Sequence, residues 1–158
     1  MKRVAILSDT HDILLPEVIQ AIDGVDMILH AGDVCDETIM DQLRVLAPVM
    51  VVRGNNDFGW ASSLSKSMFF QIEQVRFYMI HDRSYIMDSV NSVDVVIYGH
   101  THRYTEEMRG NTLWFNPGSA GWARYNNELS FAIMTIDGDT YTIEKHVLRQ
   151  ERRKRFFW

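Results

Sequence analysis

Val4-Ala5-Ile6-Leu7-Ser8-Asp9-Thr10-His11 passes from four apolar side chains into four polar ones with no spacer between them. The apolar half has the length and composition of a short buried strand, and the polar half carries a carboxylate and an imidazole. The pattern recurs along the chain. Met27–Ala31 runs into Gly32-Asp33, Val49–Val52 into Arg53-Gly54-Asn55-Asn56-Asp57, Val75–Ile80 into His81, and Asp94–Tyr98 into Gly99-His100-Thr101-His102. Helical stretches separate the first three runs. Pro16 opens Glu17–Ile22, which closes at Asp23-Gly24. Asp36 serves as N-cap for a second helix, with Ile39, Met40, Leu43 and Leu46 at helical spacing before Pro48 ends it. This is a β-α-β-α-β series. In open α/β sheets the carboxyl ends of the strands form the ligand crevice, so polar residues scattered in sequence would converge there.

The second half reads differently. Met68–Ile72 and Val75–Ile80 around Glu73-Gln74 resemble a hairpin, and a short helix from about Ser84 to Val90 leads to the run at Asp94. Two further hairpins follow, Thr105–Arg109 with Thr112–Asn116 around Gly110-Asn111, and Leu129–Ile136 with Thr140–Val147 around Asp137-Gly138-Asp139. The expectation is an α/β protein whose mixed sheet has a parallel half and an antiparallel half, covered by helices on at least one side. With no linker or repeat visible, residues 1–150 are expected to form one domain, followed by a basic and aromatic tail at 151–158.

At 158 residues, 46% apolar and 23% charged, the composition excludes a disordered or collagen-like chain. Residues 149–158 hold Arg149, Arg152, Arg153, Lys154 and Arg155 against Glu151, a net +4, which leaves −9 on residues 1–148 of the total −5. An acidic body disfavours a general nucleic-acid partner. The single cysteine, Cys35, forms no intramolecular disulfide, no apolar run approaches the roughly 20 residues of a membrane span, and the start of the chain lacks a signal-peptide core. These features predict a soluble cytoplasmic protein with no membrane partner, and they leave a homo-oligomer open.

Carboxylate, imidazole and one amide, with no thiolate among them, suit hard to borderline divalent ions: Mn²⁺ first, with Fe²⁺, Zn²⁺, Ni²⁺ or Mg²⁺ as alternatives. Asp9 and His11, like His100 and His102, are spaced i and i+2, so in an extended segment both members of a pair point the same way. A lone Asp-x-His or His-x-His is a weak signal. Five such segments, each at a strand end, make a metal site the better reading.

Ser8-Asp9-Thr10-His11, His30-Ala31-Gly32-Asp33-Val34, Arg53-Gly54-Asn55-Asn56-Asp57, His81, Gly99-His100-Thr101-His102 and Asn116-Pro117-Gly118-Ser119 together resemble the calcineurin-like metallophosphoesterases, in particular their short bacterial and archaeal phosphodiesterases. The resemblance implies a four-layer α/β/β/α sandwich of mixed sheets that binds two divalent metals. One ion would be held by Asp9, His11, Asp33 and His102, the second by Asp33, Asn55, His81 and His100, with Asp33 bridging. It further implies hydrolysis of a small phosphodiester by in-line attack of a hydroxide shared between the ions. Asp33, Asn55, His81 and Asp57 are assigned to catalysis, Asp57 as an acceptor that orients His11 or another ligand. Asn56 departs from the family pattern. Many members carry a histidine there that protonates the leaving oxygen, and an amide supplies no such proton.

Other residues carry weaker signals. His30 is assigned a supporting role, His146 none, and Cys35 that of a buried thiol. Arg103 is either a phosphate contact or a solvent-facing cation, and Phe58, Trp60 and Trp122 are candidates for an apolar rim. Two alternatives remain: a nuclease, which the acidic body opposes, and a metal-binding scaffold like the retromer subunit that resembles this fold, for which Asn56 would mark lost catalysis.

Overall fold

The computed structural model describes residues 1–87, 89–122 and 128–148. In chain order its elements are β1 (Lys2–Leu7), α1 (Pro16–Ala21), β2 (Met27–His30), α2 (Glu37–Leu46), β3 (Val49–Val51), β4 (Ser67–Ile72), β5 (Val75–Ile80), β6 (Val95–Ile97), β7 (Thr105–Arg109), β8 (Thr112–Asn116), β9 (Leu129–Asp137) and β10 (Thr140–Leu148), with short 3-10 turns at Gly59–Ser63 and Arg83–Tyr85. The strands form two five-stranded sheets, ordered β10-β9-β1-β2-β3 and β4-β5-β6-β8-β7. In the first, β1, β2 and β3 are parallel and β9 runs antiparallel to β1. In the second, β5, β6 and β8 are parallel, while β4 and β7 are antiparallel edges. The single mixed sheet expected from hydrophobic patterning is therefore two stacked mixed sheets, and the run at Asp94 belongs to the second.

Side-chain alternation explains why the strands read as unbroken apolar runs. On β1, Val4 and Ile6 enter the core between the sheets, while Ala5 and Leu7 enter the core beneath the helices. β9 divides in the same way, with Ala132, Met134 and Ile136 between the sheets and Leu129, Phe131 and Ile133 on the helical side. Both faces of these strands are buried, so neither face needs polar residues. Val18 and Ile22 from the first helical segment and Ile39, Met40 and Leu43 from α2 close the helical side. Asp36 caps α2 as expected, its carboxylate accepting from Thr38 N–H at 3.0 Å.

The expected helix from Ser84 to Val90 is the one element the structure corrects. Asp82 caps a single 3-10 turn by accepting from the Ser84 amide and hydroxyl, and the chain leaves that turn extended at Ile86. Ile86, Val90 and Val93 then lie over Tyr78, Ile80, Val96 and Tyr98 on the outer face of the second sheet. Their apolar spacing reflects a loop laid along a sheet rather than a helical stripe. The tail at 151–158 lies outside the described residues.

Phe77 is fully buried between the sheets and stacks on Phe70 at 5.1 Å, whereas Val45 is 85% exposed. Phe77→Ala is expected to lower unfolding stability by about 3–5 kcal/mol in urea titrations, and Val45→Ala by less than about 0.5 kcal/mol. Equal losses would contradict the placement of this core.

Candidate metal centre

The carboxyl ends of β1, β2 and β3 in one sheet and of β5 and β6 in the other open onto the same space. β1 delivers Asp9 and His11, β2 delivers Asp33, the segment after β3 delivers Asn55, β5 delivers His81, and the segment after β6 delivers His100 and His102. Their ligand atoms form two groups that share Asp9: Asp9, His11 and His102, and Asp9, Asp33 and His81, each with all its atoms within 4.8 Å of one another. Asp33 Oδ2, in the second group, is 3.4 Å from His81 Nε2 and reaches toward the first, 3.9 Å from His11 Nε2. Asn55 Oδ1 completes the second group, 2.9 Å from His81 Nε2 and 3.2 Å from His100 Nδ1. All seven residues singled out in the sequence come together.

The backbone does not achieve this by extension. Asp9, His11, Asp33, His100 and His102 all have φ between +51° and +71°. The shared direction of each i, i+2 pair thus comes from left-handed turns rather than from strand alternation. Each such residue costs roughly 1–2 kcal/mol relative to ordinary backbone. The turns are held by hydrogen bonds between strand ends, with Asp9 N–H donating to Gly32 O at 3.0 Å and His11 N–H to Asp33 O at 2.9 Å. Gly54 is required because Asp33 lies directly where its Cβ would be, against both the carboxylate and the backbone nitrogen.

Hydrogen bonds also aim the side chains. His81 Nδ1 donates to Ala31 O at 2.8 Å and His102 Nδ1 to Trp122 O at 3.1 Å, so both rings turn Nε2 into the shared space. His11 Nε2 lies 3.4 Å from His102 Nε2, a spacing that needs a shared proton or a cation. Asp9 Oδ2 accepts from Ser8 Oγ at 2.7 Å and from His100 N–H at 3.1 Å, whereas Asp9 Oδ1 is buried with no hydrogen-bond partner. An unpartnered carboxylate oxygen costs free energy in a buried site, and a divalent cation between it and the ring nitrogens would remove that cost. The donor set fits a metal.

Asp57, expected to orient His11 or another ligand, does not touch His11. Its fully buried carboxylate accepts from three backbone N–H groups, Asp33 at 2.9 Å, Gly54 at 2.8 Å and Cys35 at 2.8 Å, which ties the end of β2 to the end of β3. The ligand it orients is Asp33. Asn56 has a role that patterning missed, since its backbone and side-chain N–H groups donate to both Asp33 oxygens at 2.8 and 2.9 Å. Only the adjacency of Asn56 to Asn55 hinted at this. His30 accepts from Gly32 N–H through Nδ1 and so donates from Nε2 to Thr10 Oγ1 at 2.9 Å, the supporting place expected of it. Ser119 Oγ donates to Asp9 O at 2.9 Å, and Asn116 Nδ2 donates to Gly99 O at 3.1 Å, so the Asn116–Ser119 segment braces two of the ligand turns.

The remaining candidates divide. Trp122 packs edge-on against His11 and His102, with ring centroids 5.1 and 5.7 Å away. Trp60 instead donates to Cys35 O and packs on the helical core, and Phe58 is exposed. Arg103 is exposed, and His146 stacks on Phe131 in β9, away from the site. Cys35 lies with its Sγ 3.6 Å from His11 Nδ1, and burial, reinforced by Asp33 and Asp57, pushes its thiol up to about 12. Without a metal it stays protonated at neutral pH.

Without metal the charge of the centre is only partly offset. Burial alone would lower His81, but hydrogen bonding to Asp33 and the charges of Asp9 and Asp33 raise it to about 9. Burial would raise Asp33, yet His81 and the two Asn56 donors hold it far below the usual carboxylate range. His81 therefore carries a proton at neutral pH that a metal at Nε2 must displace. Mn²⁺ affinity is expected to climb as pH rises toward about 9 and then level off, with proton release visible by calorimetry in buffers of different ionisation enthalpy. His81→Ala should abolish most of that release near pH 8, and a pH-independent affinity would contradict the arrangement.

The sequence and the fold both have relatives. The calcineurin-like phosphoesterase superfamily domain matches residues 1–139. A probable metallophosphoesterase of Methanothermobacter thermautotrophicus is 33% identical over 156 residues, spanning 89% of this chain and 90% of that one. Among solved structures, an archaeal phosphodiesterase superposes with a TM-score of 0.77 at 25% identity, covering 92% of this chain and 99% of the other. Vps29 of Chaetomium thermophilum reaches 0.82 at 20% identity over 96% of this chain and 93% of its own, a likeness of fold alone. The strand-end candidate ligands thus sit in a known architecture, and the chain belongs to the calcineurin-like phosphoesterase superfamily.

Proposed function

We propose that this protein is a dinuclear metal-dependent phosphodiesterase acting on small phosphodiesters, with Mn²⁺ as the preferred ion and the cytoplasm as its compartment. The observation that carries this reading is the unpartnered Asp9 Oδ1 facing His102 Nε2 at 3.3 Å and His81 Nε2 at 3.8 Å, in a space bordered by a second buried carboxylate. Asp9, His11 and His102 would hold one ion. Asn55, His81 and His100 would hold the other, and Asp33 would contact both. Two divalent ions in such a site supply a nucleophile from water near neutral pH and offset charge on the phosphoryl oxygens.

The chain's own residues do the rest. Asp57 and Asn56 fix Asp33 from the backbone side and the carboxylate side. Asn56 is an amide already committed to Asp33, and it cannot protonate a leaving oxygen. The acidic body would not repel an anionic substrate here, because two bound divalent ions would outweigh Asp9 and Asp33 locally. A leaving group that departs without a proton must itself be a weak base, so aryl phosphodiesters should be favoured.

The test is hydrolysis of bis(4-nitrophenyl) phosphate and 4-nitrophenyl phosphate with Mn²⁺, before and after chelation, beside Asp33→Asn, His81→Ala and His11→Ala. Diester cleavage should require metal, be lost in the first two variants, and suffer more from Asp33→Asn than from His11→Ala. Dialkyl esters should lag behind aryl esters by at least the roughly 10²–10⁴-fold that a general acid would supply. Comparable alkyl and aryl turnover would overturn the role given to Asn56. Tight metal binding with no turnover of any ester would favour a scaffold instead.

A further inference from the structure

Beside the Asn55 and His81 end of the centre lies a cavity of about 750 Å³ that the metal ligands do not fill. Its size falls within the roughly 300–1,000 Å³ of small-molecule sites. Its walls are of two kinds. Ile80 and Tyr78 form an apolar floor, while Tyr85 and Met87 stand beside it with 73% and 95% of their surface exposed. They leave an aromatic ring and a thioether accessible at the edge of the charged centre.

The other wall is cationic. Lys66 is exposed and has no ion pair or hydrogen bond among the described residues. Arg53 is held at one point, its Nε donating to Asp57 O at 3.0 Å, and no carboxylate meets its terminal nitrogens among the described residues. Asp82 also lines the cavity, its Oδ1 accepting from both the Ser84 amide and hydroxyl and its Oδ2 lying 3.6 Å from His100 Nε2. Neither cation is paired directly with a carboxylate among the described residues.

We propose that this cavity is a subsite for one ester arm of the substrate, and that it selects an arm combining an aromatic ring with a second anionic group, as in a nucleotide. The inference rests on the phosphodiesterase reading for the position of the scissile phosphate at the metal centre. From there the arm runs past Asn55 and His81, its ring lies against Tyr85 and Met87, and its further phosphate meets Lys66 and Arg53. A neutral aryl arm would use only the apolar half of the cavity. An inorganic phosphate would not use the apolar half.

Calorimetric titration of the Mn²⁺-loaded protein with thymidine 3′,5′-bisphosphate, thymidine 5′-phosphate and inorganic phosphate tests this without relying on turnover. The bisphosphate should bind about tenfold or more tighter than the 5′-phosphate. Lys66→Ala should remove most of that preference, and Tyr85→Ala should weaken both nucleotides relative to inorganic phosphate. Equal binding of the two nucleotides, or a preference that survives Lys66→Ala, would overturn the proposal. Bis(4-nitrophenyl) phosphate cleavage measured alongside separates the two claims. Cleavage without nucleotide preference sinks only the subsite, whereas nucleotide preference without any ester cleavage sinks the enzymatic reading and leaves a nucleotide-binding site.

Discussion

Two carboxylates, Asp9 and Asp33, are buried in one space, and most of the architecture around them follows from holding them there. Like charges at this separation, shielded from water, repel strongly unless positive charge lies between them. The protein meets that demand with histidine nitrogens directed inward and with a proton on His81, a single charge where two carboxylates call for more. A pair of divalent cations would answer the demand fully. The centre is thus an incomplete electrostatic unit that such cations would complete.

The folding energy that supports this arrangement lies elsewhere. Strands buried on both faces create one core between the sheets and another beneath the helices, and those cores sustain several left-handed residues at the strand ends. Asp57 connects the two parts. By gathering three N–H groups from the ends of β2 and β3, it converts the packing of the first sheet into a fixed position for Asp33. His30, Ser119 and Asn116 do the same for neighbouring turns. None of these four touches the shared space as a ligand, yet each positions a ligand that does.

Much of this was legible in residue order. Apolar runs ending in Asp9, Asp33, Asn55, His81 and His100 placed the ligands at strand ends, and strand ends converge in any parallel arrangement. Hydrophobic patterning could not show that two sheets rather than one supply them, because β6 has the same composition whichever neighbours it pairs with. The helix expected at Ser84–Val90 failed for a related reason: apolar residues laid over an outer sheet face mimic helical spacing. Asn56 supplies no acid, yet its contacts also make it an anchor for Asp33, and a hydrogen bond to a residue 23 positions away leaves no local trace. The cavity beside Asn55 joins residues from three separate segments and is visible only once β4 and β5 are paired.

The central claim is that the two carboxylates and their histidines form a paired metal centre with Asp33 between the ions. Anomalous diffraction from crystals grown with Mn²⁺ tests it most directly. The account predicts two anomalous peaks, one enclosed by Asp9, His11 and His102 and the other by Asn55, His81 and His100, with the Asp33 carboxylate touching both. A single peak, or peaks that leave Asp33 without a metal contact, would contradict it.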